Sequence, residues 1–321
     1  MFGVASASAA STNTDTSKVT ISHQIYYQQS PAISGHIVVA TEVIGHSLFE
    51  NSPISRIVWR NLATGKKGIL STNSGNYAPA ISGNIVIWTH NGSNLTSIQW
   101  KNIKTGAGGQ VSGKYNASNG AISGKNVIWT QIIGNHNYVY WKDLNTKFSV
   151  RLSPLGADST ADAISGNSVI WDQAATSGNN FYIMYENLAT KKVIRLIKSP
   201  SLTADISGNI VVWQGQDTHF NYWKNIITGH GNLISKNSNE YGPIISGNII
   251  VWEQFKTGIH SVKWKNLITG KTGTLVLEKA NYSQFIYEPR ISGNIVVWQG
   301  TYPFYVYWKN IVTGQSGRVN F

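Results

Sequence analysis

Apolar residues along this chain fall in short runs of four or five, broken by Gly, Asn, Ser and Thr, and one such run returns at a nearly regular interval. The string I-S-G-N-I-V-V-W, with small variations, begins at Ile33, Ile81, Ile122, Ile164, Ile206, Ile245 and Ile291, at spacings of 48, 41, 42, 42, 39 and 46 residues. A second string, W-K-N-L-x-T-G or a degenerate form of it, follows each copy from Trp59, Trp100, Trp141, Tyr185, Trp223, Trp264 and Trp308. Each unit predicts four short strands. The first ends at Ile-Ser-Gly, where a pair such as Gly83-Asn84 can adopt the positive φ of a two-residue hairpin. A run such as Ile85-Val86-Ile87-Trp88 is apolar on both faces, which fits a strand covered front and back by neighbouring sheets. The third strand ends near Trp100, with Ile98 on the same face by the two-residue period. Asn102 to Gly106 forms the next turn, and a ragged fourth strand follows, as at Ile69-Leu70-Ser71. No segment carries the period of an amphipathic helix. Four strands recurring at about forty residues describe a propeller blade. The expected fold is therefore all-β: a single seven-bladed β-propeller with four antiparallel strands per blade.

The repeat reaches from about residue 18 to 321, leaving residues 1–17 as a flexible N-terminus or the remnant of a signal peptide. Val19-Thr20-Ile21-Ser22 reads like the fourth strand of a blade and is expected to pair into the last one, although that unit also carries Arg318-Val319-Asn320-Phe321. The P-x-I-S-G-N-I-V-V-W, Y-W-K-N-L-x-T-G and L-S pattern resembles the TolB-like propeller repeats of bacterial and archaeal cell-surface proteins. It departs from their commonest form at the first turn, where Ser-Gly-Asn stands in place of Ser-Pro-Asp-Gly, and the N-terminal α/β domain of TolB has no counterpart in it. The resemblance implies a secreted or cell-surface location and a protein or carbohydrate partner there.

Composition narrows the function classes. With no cysteine, neither a disulfide framework nor a thiolate metal site is available. No apolar run approaches the eighteen or so residues of a membrane span, so membrane insertion is not expected. Met1 to Ala10 ends in Ala-Ser-Ala-Ser-Ala-Ala, like the small-residue end of a signal peptide, and Asn91, Asn94, Asn116 and Asn281 open N-x-S/T sequons. All 12 tryptophans occupy one of the two repeated strand positions, where only Ala40 and Tyr185 replace them. That regularity assigns them to core packing between blades rather than to stacking on sugars.

The formal charge is +12. Arg60, Lys101, Lys142, Lys224, Lys265 and Lys309 follow the third-strand aromatic residue, and Lys66, Lys67, Lys104, Lys147, Lys191, Lys192 and Lys271 lie in the next turns. These windows contain only Asp143 and Glu186 as acids, so a basic ring on one face is expected. Its two readings are a solvated edge and a contact surface for a polyanion. No nucleic-acid motif accompanies the charge, and nucleic acid is not an expected partner.

The remaining connections vary in length and gather on the opposite face, where a ligand site would normally be built. Asp172 and Glu253 share the position after the second-strand Trp, where other blades carry Thr or Gln. Asp205 and Arg290 stand just before Ile-Ser-Gly, where Ala is usual, and His90 lies in a variable loop. These five are the candidate ligand-binding residues. No catalytic residue, metal site or cofactor is expected: the histidines lack metal-ligand spacing, no G-x-S-x-G elbow is present, and blade five separates Asp172 from Glu253. The expected function is that of an exported, non-catalytic binding or cell-surface interaction module, monomeric, for an anionic glycan or a protein. The alternative is a carbohydrate-active enzyme, lyase or glycoside hydrolase, working on the variable-loop face. The scarcity of Asp and Glu further predicts tolerance of low pH.

Overall fold

The computed structural model describes residues 24–45, 54–175, 181–198, 201–215, 220–235, 239–279, 287–300 and 304–321. They form seven antiparallel sheets of four strands each, with no helix among the described residues. Blade one consists of β1 (Gln24–Ser34), β2 (Ile37–Gly45), β3 (Ile54–Asn61) and β4 (Lys67–Ile69), hydrogen-bonded in that order. Blades two to seven repeat the same up-and-down order, beginning at Asn76, Ala117, Ser159, Ser201, Glu240 and Tyr287. The first strand of each blade contacts the first strand of the next, and that of blade seven contacts β1, so the ring is closed. The third strands run two residues past the repeated Trp (Thr96–Asn102 in blade two), and β4 starts and ends earlier than the sequence pattern placed it.

The repeated motifs become specific contacts. In Ser-Gly-Asn, only the Gly takes positive φ (56° to 60° in the seven copies), so the two-residue loop is of type II′ and the Asn stays in an ordinary conformation. The serine has a second task that its sequence position does not announce. Each Ser Oγ accepts a hydrogen bond from the Gly N–H of the next blade. The bonds run from Ser34 to Gly83, Ser82 to Gly124, Ser123 to Gly166, Ser165 to Gly208, Ser207 to Gly247, Ser246 to Gly293 and Ser292 back to Gly35, all at 2.8–3.0 Å. In the second turn, Asn Oδ1 accepts from the two amides that follow, as Asn266 does from Ile268 and Thr269 at 2.9 and 3.1 Å. This Asx geometry closes the turn without strain.

The core is divided into seven apolar clusters, one at each seam between blades. Six seams join the second-strand Trp of one blade to the third-strand aromatic of the blade before it: Trp88 with Trp59, Trp129 with Trp100, Trp171 with Trp141, Trp213 with Tyr185, Trp252 with Trp223 and Trp298 with Trp264. The second-strand indoles are all buried, while the third-strand ones are half-buried. The aromatic repeat is thus the wedge between sheets, as its register predicts.

The seventh seam, between blades seven and one, is built differently. Ala40 replaces the second-strand Trp and packs with Val38, Val297, Val306 and Val319 against Trp308. Beside it Glu42, buried, pairs with Arg56 at 2.6 Å and accepts from Gln28 at 3.3 Å. The Gln28 amide donates to Phe304 O at 2.7 Å, and its side-chain oxygen accepts from Val306 N at 3.3 Å. Arg60 reaches Asn320 O, and Lys67 donates to Phe321 O at 2.7 Å. The expected closing segment Val19 to Ser22 lies outside the described residues. Blade seven takes its fourth strand from Ser316–Arg318, within its own unit.

Candidate functional site

Three regions gather polar chemistry: the face bearing the repeated turns, the wall of the central channel, and two clefts at blade seams.

On the turn face, the six cations that follow the third-strand aromatic are half-buried. Lys101, Lys265 and Lys309 donate across the seam to Leu70 O, Ile234 O and Leu275 O at 3.3, 2.9 and 3.5 Å, and Arg60 makes the matching contact with Asn320 O. Lys142 and Lys224 hold the same register. At these four blades the cation braces the outer strand of its neighbour, so the exposed charge lies one turn further on. Lys66, Lys104, Lys147, Lys191, Lys192 and Lys271 are exposed there, with the Lys191 ammonium 5.2 Å from the centre of the Trp141 ring. Of the two acids in these windows, Glu186 is buried and Asp143 accepts the Asn145 amide at 2.8 Å.

The channel wall brings together four of the five candidates from the variable face. Asp172, Asp205, Glu253 and Arg290, from blades four, five, six and seven, are half-buried and stand in a chain of electrostatic neighbours: Asp162, which sequence reasoning missed, joins Asp172 to Asp205, and Arg290 joins Asp205 to Glu253. The Asp205 carboxylate accepts from Ile206 N at 2.9 Å and, across the seam, from Ile245 N at 2.8 Å. Glu253 accepts from Glu288 N of blade seven at 2.7 Å. Thr130 and Gln214, at the position of Asp172 and Glu253 in their own blades, likewise bond the main chain of the following blade, at Ala161 N and Glu240 O. These side chains are clasps between blades. Arg290 donates to Pro289 O at 3.2 Å.

Burial raises every carboxyl of this group. It pushes Asp172 up to about 7. Asp205 goes up to about 6, held back by the Ile245 and Ile206 amides and by Arg290. Glu253 goes up to about 7, with the Glu288 amide and Arg290 opposing and the Glu288 charge adding to the rise. Asp162 is raised by burial and then by the negative charges of Asp172 and Asp205. Asp162 Oδ2 and Asp172 Oδ1 are buried without a hydrogen-bond partner. A signal for Asp162 was present in the repeat: it fills the place held by Pro31, Pro79, Pro243 and Pro289 in other blades. At the bulge of this strand blade four leaves Asp162 alone unpaired, whereas blades two and five set two first-strand residues against one. Among the described residues, no group of three or more His, Asp or Glu side chains is placed to hold a metal ion.

His90 is apart from this group. It lines a cleft of about 360 Å³ at the seam of blades one and two, with Ser71, Asn73, Asn76, Trp88 and Gln99. Asn76 Oδ1 accepts from Trp88 Nε1 at 2.9 Å and lies 3.0 Å from His90 Nδ1. The equivalent cleft between blades five and six, about 240 Å³, has Trp252, Gln254 and Lys263 at the matching positions. Beneath it Glu240 is fully buried, raised by that burial, and accepts from Ser235 and from Gln254 at 3.1 Å.

The fold and its cross-blade contacts define a seven-bladed β-propeller closed within single blades. No family model matches the sequence, and no curated protein matches it either. Solved structures do. The β-propeller domain of the Trilobed protease from Pyrococcus furiosus, described as having an open velcro topology, superimposes with a TM-score of 0.70 at 12% identity, over 93% of this chain and 97% of that one. Acylaminoacyl peptidase from Pyrococcus horikoshii gives 0.69 at 13% identity over 92% of this chain, which spans about half (52%) of the peptidase. TolB from Acinetobacter baumannii gives 0.51 at 15% identity over 68% of this chain and 58% of its own. The chain is thus a seven-bladed β-propeller similar in structure to TolB propellers and to the propeller domains of peptidases, at low sequence identity.

Proposed function

We propose that this chain is an exported, non-catalytic binding module that docks on the polyanionic exterior of a cell through its turn face. The observation that carries the reading is the near absence of acids from the turn face among the described residues. The exposed lysines of the repeated turns share their face with only two acids, both already engaged by burial or a turn amide, while the other described carboxylates lie in the channel, at the seams or on the loop side. A face with one sign of charge attracts polyanions over a Debye length of about 10 Å at 0.1 M salt. The channel acids support a structural role, since Asp205 and Glu253 use their oxygens to hold amides of the next blade. The resemblance of the repeat to TolB-like cell-surface proteins agrees with an exported location.

The test is binding to heparin, used as a model polyanion, at 0.05 and 0.5 M NaCl. The expected result is binding that falls by at least about tenfold over that range, and that falls similarly when Lys66, Lys104, Lys147, Lys191, Lys192 and Lys271 are changed together to Gln. Undetectable binding, or binding indifferent to both salt and the substitutions, would remove the reading.

A further inference from the structure

The turn face carries a second feature beside its charge. In the motif N-L-x-T-G, the residue x projects from the turn tip. It is Ala63, Lys104, Asn145 and Ala189 in blades one to four. In the three consecutive blades five, six and seven it is Ile227, Ile268 and Val312, which are 72%, 75% and 71% exposed. Blade three adds Phe148 in the same connection, 81% exposed. The preceding position, Ile226, Leu267 or Ile311, is the one that turns inward onto the seam clusters. The core therefore has no use for the tip residues, whose side chains stand in water.

We propose that the turn face seats on an anionic lipid bilayer, with Ile227, Ile268, Val312 and Phe148 entering the headgroup layer between the lysine contacts. This inference rests on the polyanion-docking reading of the same face and names its partner. An acidic polysaccharide would satisfy the lysines and leave the aliphatic tips in water. A protein partner would need the apolar residues gathered in one desolvated patch, as binding hot spots are. Here they are single side chains on separate blades, surrounded by polar turn residues. A fluid bilayer accepts separated apolar tips without shape complementarity, and its anionic headgroups attract the lysines around them. The tips enter only the interfacial layer, since no helix among the described residues is long and apolar enough to cross a membrane.

The experiment is co-sedimentation of the full chain with vesicles of phosphatidylcholine alone and of phosphatidylcholine with 30 mol% phosphatidylglycerol, the mole fraction being about that of a moderately anionic leaflet. It is run on the native chain and on the triple variant Ile227→Ser, Ile268→Ser, Val312→Ser. The expected result is binding to the anionic vesicles, a loss of at least about tenfold in the variant, and unchanged melting temperature and heparin affinity. Because the chain has no cysteine, Ile268→Cys carrying an environment-sensitive fluorophore gives an independent reading: a blue shift on anionic vesicles, with none from Asn94→Cys on the opposite face. Vesicle binding that survives the triple substitution, or a fluorophore at position 268 that stays in water, would overturn the inference. So would heparin binding without vesicle binding, and in that case the polyanion reading would stand. Failure of both ligands would overturn the two together.

Discussion

Six seams of this ring are wedged by paired aromatic rings, and the seventh replaces one ring with aliphatic packing and a glutamine that bonds across it. Where chain continuity already delivers one blade to the next, an indole facing a second aromatic ring suffices, and the contact is repeated almost unchanged. Where blade seven meets blade one, continuity is lost among the described residues. The indole gives way to Ala40, and Gln28 bonds across the seam to Phe304 O and Val306 N, backed by Glu42, which pairs with Arg56 inside blade one. The difference teaches what each device is good for. Apolar wedges supply stability without choosing a partner, and seven identical ones would let any blade dock on any other. Gln28 bonds blade seven through both its main-chain N–H and its side-chain oxygen, and such a pair tolerates little misregister, because buried polar groups left unpaired are costly. The closing seam therefore specifies which edges meet.

The comparison can be broken at its strongest point first. Trp171 is fully buried at the seam of blades three and four, and Trp171→Ala should cost about 3–5 kcal/mol in denaturant unfolding; a loss below about 1 kcal/mol would contradict the wedge. Within blade one, behind the closing seam, Arg56→Ala strands buried Glu42 and should cost about 3 kcal/mol. The double change Glu42→Gln with Arg56→Met should restore most of that loss.

Next in size is the pH response. Asp172, Glu253 and Asp205, with pKa values of about 7, 7 and 6 against ordinary values of 3.8 to 4.5, and also Asp162, bind protons more tightly in the folded chain than in the unfolded one. Their contribution is fully present below the unfolded values and is lost as pH rises through 6 to 7. The melting temperature should therefore be higher at pH 5 than at pH 8, and Asp172→Asn with Glu253→Gln should flatten the slope. A melting temperature that falls on acidification from pH 8 to 5 would contradict this. Smallest, Ser165→Ala removes one of seven equivalent hydrogen bonds to Gly and should cost about 1 kcal/mol or less.

Much of this architecture was legible in the chain, for a physical reason. A blade interface repeated seven times must repeat its side chains, so the tryptophans, the Ser-Gly turn and the Asn-Thr-Gly turn show themselves by period alone. What escaped were contacts whose other half is main chain. Lys101 and Lys265 looked like free surface charge because their acceptors, Leu70 O and Ile234 O, leave no mark in the sequence. The serine hydroxyls were hidden in the same way. In the channel, Asp205, Asp172, Glu253 and Arg290 stood out as departures from the repeat, but Asp162, at a position where Pro is common, joins Asp172 to Asp205 only once the inner strands are placed side by side.

Six uniform seams and one exclusive one have a common consequence. They hold all seven repeated turns on a single rim, and there the exposed lysines and the aliphatic tips face outward together. On the proposed function, that rim is the working surface. Amide hydrogen exchange of the full chain with and without anionic vesicles tests it directly. The predicted result is added protection in the turns of residues 225–230, 266–271 and 310–315. Protection confined to the opposite-face connections at 92–95 and 134–135, with those turns unchanged, would contradict it.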